Sequence, residues 1–296
     1  MQPLTGGLRN GNFKVQLDQP PRSIVLRIYE HDVSLCRKEV DLLARIGRSV
    51  PVPEVLHAEA EGWEGLPPFA LLRYIEGVSF HELERREGRE ALAQASHCVG
   101  QTLALIGRTK FPASGWIGPG PKVSAPLLEG PHPSPRFVDL CLASSNLQQR
   151  MPADLRDQTR AAMWSHAPQW TALDNGVSLV HGDFGRRNLL MRRVAGVWTV
   201  AAVLDWEFAV SGSPLIDLGH FLRYECASRP VAEPHFSQGY LQAGGTLPEG
   251  WRRLARLVDL IALCESLTHE ALADTAVAEL RELVRSTVDD RDPQFT

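Results

Sequence analysis

Long hydrophobic runs are missing from this chain of 296 residues: no apolar stretch approaches the ~18 residues that a bilayer-crossing helix needs, so no membrane partner is expected. The N-terminus, Met1-Gln2-Pro3-Leu4-Thr5-Gly6-Gly7, has no basic segment leading into an apolar one. No secretory signal is therefore expected, and the cytoplasm is the expected compartment. Cysteine is scarce: Cys36, Cys98, Cys141, Cys226 and Cys264 are scattered and form no C-x-x-C pair. An odd, dispersed set argues against both a disulfide framework and a zinc site. The expected role is that of small buried apolar side chains in a reducing compartment. Basic charge is not in excess either: the formal net charge is −4 with both signs interspersed, which leaves no stripe for nucleic acid. Internal repeats and low-complexity tracts are absent as well.

What is present is the composition of a water-soluble globular protein, 44% hydrophobic and 22% charged, in a length that suits one large domain or two lobes meeting at a cleft. Phe13-Lys14-Val15-Gln16-Leu17 alternates apolar and polar residues, and the segment from Ser23 to Tyr29 is β-branched and apolar. Both read as strands around a turn at Pro20-Pro21. From Val33 to Ile46, Leu35, Leu42 and Ile46 share a helical face, with Asp32 placed as N-cap and Gly47 as the stop. Val50-Pro51-Val52-Pro53 reads as an extended connector, and Glu54–Ala58 and Phe69–Ile75 as two further strands. A first lobe is expected over residues 1–76 and a second over 77–296. In the second, helical spacing runs over Ala91–Gly107, Phe137–Leu147, Leu155–Ser165, Leu215–Cys226, Trp251–Leu267 and Ala276–Val288, while strand formers concentrate between Ser178 and Trp206. The Pro/Gly-rich stretch from Lys110 to Pro135 shows little periodicity and reads as a lid or a pinned loop.

The residues that carry chemistry lie between Leu179 and Met191, where an apolar strand enters the polar loop His181-Gly182-Asp183-Phe184-Gly185-Arg186-Arg187-Asn188 and another leaves it. Phosphoryl transfer requires a carboxylate that orients the attacking hydroxyl and takes its proton, together with hard oxygen ligands for magnesium (Mg2+) on the phosphates. Asp183 and Asn188 supply one of each. Seventeen residues beyond Asn188, the apolar strand Ala201-Ala202-Val203-Leu204 ends in Asp205-Trp206-Glu207, and Asp205 offers a second magnesium ligand.

Together, His181-Gly182-Asp183-x4-Asn188 and Leu204-Asp205-Trp206-Glu207 resemble the aminoglycoside phosphotransferase and choline kinase-like family, relatives of the protein kinases, over nearly the whole chain. The resemblance implies an α+β, protein-kinase-like bilobal fold: a small antiparallel-sheet N-lobe with one helix, and a larger, mainly α-helical C-lobe. It also implies Asp183 as catalytic base, Asn188 and Asp205 as magnesium ligands, and ATP in the cleft between the lobes. His181 is then a loop-bracing residue, and Asp217, in Pro214-Leu215-Ile216-Asp217-Leu218-Gly219, a brace on the catalytic loop. Asp183-Phe184-Gly185 spells the D-F-G of protein kinases but stands where the catalytic loop belongs. Only eleven residues separate Asp205 from Asp217, too few for a peptide-docking activation segment.

In the small lobe, Thr5-Gly6-Gly7-Leu8-Arg9-Asn10-Gly11-Asn12 resembles the family's glycine-containing turn, which places Gly7 and Asn10 near the phosphates. Where the family and the protein kinases carry a strand lysine, this chain has Arg27, with Glu39 on the following helix as its partner. Lys14 on the neighbouring strand is the alternative cation. Arg73 and Tyr74 occupy the hinge whose backbone would receive adenine. Arg186 and Arg187 either neutralise charge on the transferring group or pair with carboxylates. The function implied is transfer of the γ-phosphoryl group of Mg·ATP to a hydroxyl of a small molecule, with no obligate protein partner. Acidic residues outnumber basic ones toward the C-terminus, which suits a cationic acceptor or a solvated helix face equally. The alternative is a catalytically silent, kinase-like nucleotide-binding or regulatory module.

Overall fold

In the computed structural model, which describes residues 1–4, 10–19, 21–225 and 230–289, alternation in the first part of the chain becomes an antiparallel sheet. Its elements are β1 (Gln2–Pro3), β2 (Gly11–Asp18), β3 (Pro21–Ile28), helix α1 (Ser34–Ile46), β4 (Val55–Glu59) and β5 (Phe69–Arg73), with strand order β1-β2-β3-β5-β4. Arg27 stands opposite Asn12 on one neighbour and Ala70 on the other, so these three share one face in mid-sheet. Helix α1 buries Cys36, Leu42, Leu43 and Ile46 at helical spacing, and two charged residues, Lys38 and Glu39, lie buried with them. Buried unpaired charge is costly, so both need partners elsewhere in the fold. Its ends differ in detail from expectation. The helix begins at Ser34, so Asp32 acts one residue further out, accepting hydrogen bonds from the Ser34 amide (3.0 Å) and hydroxyl (2.6 Å). Gly47 closes the helix in a right-handed conformation (φ −61°).

The chain continues through β6 (Val78–Ser79), α2 (Phe80–Arg86), α3 (Arg89–Gly107), β7 (Gly115–Gly118), β8 (Lys122–Ala125), α4 (Pro133–Ala143), α5 (Ser145–Arg150), α6 (Ala153–Ser165) and α7 (Ala167–Asp174). It ends with β9 (Ser178–Val180), β10 (Leu189–Val194), β11 (Val197–Val203), β12 (Val210–Gly212), α8 (Leu215–Leu222), α9 (His235–Gln242), α10 (Trp251–Thr268) and α11 (Asp274–Val288). Two small sheets, β11-β10-β6 and β8-β7-β12-β9, sit among these helices.

The Lys110–Pro135 stretch is not a free loop: β7 and β8 form a hairpin in it, and β7 pairs with β12. Helix formers from Phe137 to Leu147 divide at Ser144, whose extended backbone and hydroxyl start α5. Helices α2, α7 and α9 escape a periodicity reading because each has at most eight residues. Local chemistry nonetheless fixes α2, where Ser79 and Glu82 form a reciprocal capping box. Helix α9 is fixed by close approach: a Cβ on Gly100 or on Gly239 would stand 2.0 Å from a carbonyl oxygen of the facing helix, so α3 and α9 touch backbone to backbone.

Cys36, Cys98, Cys141 and Cys264 carry free thiols, and Cys226 lies outside the described residues. Among the described residues no helix is long and apolar enough to cross a membrane.

Candidate active site

Strand β9 runs into the loop His181–Asn188, which β10 leaves, while β11 runs into a second loop, Leu204–Ala209, that β12 leaves. The two loops cross at Gly182. Its φ of +82° and the 2.3 Å that would separate an added Cβ from the Phe208 carbonyl oxygen admit glycine alone. His181 is fully buried and ties the loops together: its Nε2–H donates to the Leu204 carbonyl (2.7 Å), and its Nδ1 accepts from the Asp183 amide (3.2 Å). Beneath them the Asp217 carboxylate, at the start of α8, accepts the amide hydrogens of His181 (2.7 Å) and Gly182 (3.0 Å). Burial pushes the Asp217 carboxyl above its ordinary range against these two donors. Phe184, buried beside Phe221 with ring centroids 6.1 Å apart, anchors the loop to the core.

The Asp183 carboxylate is held at both oxygens. Asn188 Nδ2 donates to Oδ2 at 2.8 Å, and His220 Nε2 stands 3.1 Å from Oδ1. Burial works against the charge of Asp183, but the bond from His220, the nearby His181 and the Asn188 amide outweigh it and hold the carboxyl below its ordinary range. The side chain keeps 38% of its surface exposed, toward the cavity. Asn188 uses its amide nitrogen on Asp183, so its carbonyl oxygen is the hard donor that the side chain has to offer.

Asp205 occupies the left-handed region (φ 61°, ψ 70°), an unusual backbone for a non-glycine residue and one that aspartate tolerates better than most. Its carboxylate receives Arg27 Nη1. The same guanidinium places Nε 3.0 Å from Glu39 and Nη2 3.5 Å from Glu207. Glu39, 2% exposed, also accepts from the Tyr29 hydroxyl (2.6 Å) and the Trp206 amide (3.3 Å), so α1 grips the loop that carries Asp205. Lys38 grips it too, donating from Nζ to the Glu207 carbonyl at 2.6 Å, and burial brings its ammonium down to about 8. Asn10 donates to Glu207 at 2.6 Å.

One cavity of about 890 Å³ gathers Asn10, Arg27, Asp183, Asn188 and Asp205, and extends to Tyr224 and to Glu265, Ser266 and His269 at the C-terminal end of α10. Glu39, His181 and Asp217 are buried and do not line it. Arg73 and Tyr74 are not in it: they line a separate cavity of about 260 Å³ with Ile24 and Leu56, and Arg73 pairs with Glu54. Gly7 lies outside the described residues. Lys14 points its ammonium at the Tyr74 ring, 3.8 Å from the centroid, and Arg27 is the strand cation beside Asp205. Of the two loop arginines, Arg186 is buried between Glu84 (2.6 Å) and Glu225 (3.0 Å), whereas Arg187 is exposed at the cavity edge.

The sequence matches the model of a phosphotransferase enzyme family over residues 1–257. The chain belongs to that family. Solved structures of similar fold cover nearly all of it. A thermostable mutant of aminoglycoside phosphotransferase APH(4)-Ia, in ternary complex with AMP-PNP and hygromycin B, is 18% identical with a TM-score of 0.67, covering 97% of this chain and 92% of its own. The GDP complex of wild-type aminoglycoside 2'-phosphotransferase-IIIa gives 16%, 0.67, 98% and 92% in the same order. A phosphotransferase-family structure from Ralstonia eutropha gives 16%, 0.67, 97% and 91%. At such identities the likeness is one of fold, the kinase-like α+β arrangement that the motifs imply. Acyl-CoA dehydrogenase family member 11 of Homo sapiens is 32% identical over 94 residues, and that of Pongo abelii 33% over 95. Each match covers 32% of this chain, which spans about 11% of the length of these curated relatives.

Three residues of this site are assigned no role by the sequence motifs. Lys38 reads there as an ordinary helix charge, and Glu207 as the tail of a motif. His220 follows Asp217 at the i, i+3 spacing that puts two side chains on one helical face, and that spacing was the available clue.

Proposed function

We propose that this chain moves the γ-phosphoryl group of ATP to a hydroxyl of a small molecule, with residues 1–76 forming the nucleotide lobe and 77–296 the catalytic and acceptor lobe. The observation that carries this reading is the Asp183 carboxylate, clamped at both oxygens yet open to the one cavity that also holds Asn188 and Asp205. Asp183 orients the acceptor hydroxyl and takes its proton as the hydroxyl oxygen bonds to the γ-phosphorus, the bond to the bridging oxygen breaks and ADP leaves. The donor chemistry fits magnesium: the Asn188 carbonyl oxygen and the Asp205 carboxylate would hold it, and it would neutralise charge on the phosphates. Arg187, exposed at the cavity edge, would neutralise the transferring group, whereas Arg186 is tied to two glutamates.

Support comes also from the family and from its solved members, whose complexes with AMP-PNP and hygromycin B, and with GDP and kanamycin, pair a nucleotide with an aminoglycoside. The test is label transfer from γ-labelled ATP, and in parallel GTP, to a panel of small-molecule alcohols that includes aminoglycosides. Transfer to at least one acceptor, lost in Asp183→Asn, is the expected result. Tight nucleotide binding with no transfer to any acceptor would instead favour a silent nucleotide-binding module, with the Arg27–Asp205 contact as its structural basis.

A further inference from the structure

The imidazole of His220 faces the Asp183 carboxylate from a different element than the loop that carries Asp183. We infer that His220 is a positioning residue for the transfer proposed above: its Nε2–H fixes Oδ1 of Asp183 while Asn188 fixes Oδ2, so the carboxylate is presented to the acceptor hydroxyl in one orientation. The inference rests on that reading of Asp183 as the base.

The direction of the bond follows from the groups. An ionised carboxylate only accepts, so the ring nitrogen that faces it carries the proton. The imidazole is also firmly placed. Asp217 and His220 lie on one face of α8, so a single short helix holds the loop backbone through Asp217 and the loop's carboxylate through His220. Phe221, next to it, packs on Phe80, Phe184 and Phe236. Gly219 lets α8 approach α10 until an added Cβ would stand 2.3 Å from the Ala255 carbonyl oxygen. The loop backbone at Gly185 packs against the ring, where an added Cβ would lie 3.5 Å from Nε2, in ordinary van der Waals contact. With the ring removed, Oδ1 loses its donor while Oδ2 keeps Asn188, and the carboxylate is free to turn about the bond that remains. Small misplacements of a reacting group cost up to about 10²-fold in rate.

The test compares His220→Leu and His220→Gln in the full chain, using label transfer from ATP. Leucine should lower kcat by roughly 10- to 100-fold with the nucleotide KM within about twofold of wild type. Glutamine, whose amide nitrogen reaches about as far from the backbone as Nε2, should restore most of the loss. Wild-type kcat in His220→Leu, or a His220→Gln variant no better than leucine, overturns the inference. A second measurement requires no acceptor and no activity: nitrogen-edited proton NMR of the nucleotide-free protein should show a slowly exchanging His220 Nε2–H that is lost in Asp183→Ala. Equal exchange in both proteins overturns the contact itself. A chain that phosphorylates nothing yet shows this protected proton would refute the proposed function while leaving His220 bonded to Asp183.

Discussion

Arg27 on β3 hydrogen-bonds Asp205, 178 positions further along the chain, and so joins the N-terminal sheet to the loop that follows β11. The arginine does more than replace a lysine at that position. Its planar fork reaches Glu39, Asp205 and Glu207 at once, which a single ammonium on a flexible stem would not.

Arg27→Ala should therefore destabilise the fold as well as weaken the nucleotide. Removing a 5% exposed cation leaves Glu39 buried without its counter-charge, an expected loss of about 3–5 kcal/mol by urea unfolding. ATP binding should weaken by about 1.5–3 kcal/mol by calorimetry. Arg27→Lys should recover part of each, and Lys14→Ala should change neither, because Lys14 is turned to Tyr74. If ATP affinity falls on removing Lys14 but not Arg27, the strand cation has been assigned to the wrong residue.

Asp183→Asn keeps an acceptor oxygen for His220 and removes the carboxylate proposed as the base. Turnover should drop by ~10²-fold or more while ATP affinity stays within about twofold. Steady-state rates beside calorimetry check both halves, and near-normal turnover would remove Asp183 from the chemistry.

For Asp205→Ala the expected loss lies in the metal dependence of binding. Magnesium should tighten ATP binding to the wild-type chain by tenfold or so and have little effect on the variant, a comparison made by titration with and without the metal. The fold should suffer less than in Arg27→Ala, since Arg27 keeps Glu39. A variant as responsive to magnesium as the wild type counts against Asp205 as a ligand.

Lys38 gives a pH dependence with a definite sign. Its ammonium falls from an ordinary value of 10.5 to about 8 in the folded chain, so between those values the unfolded chain binds the extra proton and stability rises with pH. Below pH 8 both states are protonated and the folded state bears the cost of the buried charge. The stability of wild type minus that of Lys38→Met should accordingly increase from pH 7.5 to 10.5 by up to about 3 kcal/mol. Urea unfolding at several pH values measures it, and a flat difference would mean that Lys38 keeps an ordinary ammonium.

Part of this molecule is written locally. Strands β2, β3 and β5 and helices α1, α3, α6, α10 and α11 are long enough for their apolar period to show, and each appears close to its expected span. The polar loop from His181 to Asn188 and the strand end at Asp205 stand out because carboxylates and an asparagine interrupt apolar strands at fixed intervals, which buried strands do not do without cause. The same periods place strands and one helix early in the chain and mostly helices after them, and the resemblance carried by the motifs implies the kinase-like arrangement.

Other features exist only through contacts distant in sequence. Helix α9 is too short to carry a period and is set by the backbone contact of Gly239 with α3. The hairpin β7–β8 forms in a Pro/Gly-rich stretch because β12 offers it an edge. His220 and Lys38 are polar residues on helices whose pattern does not say what they hold, and Glu39 is marked in the sequence only as a partner for Arg27. Their partners are Asp183, the Glu207 carbonyl, Tyr29 and Arg27, brought together when the sheet closes on the two loops of the site. Which oxygens the site offers can be read from residue types along the chain, because chemistry sets those types. Tertiary structure alone decided which groups hold them, because a buried charge is stabilised by whatever opposite charge or donor folding brings within hydrogen-bond reach.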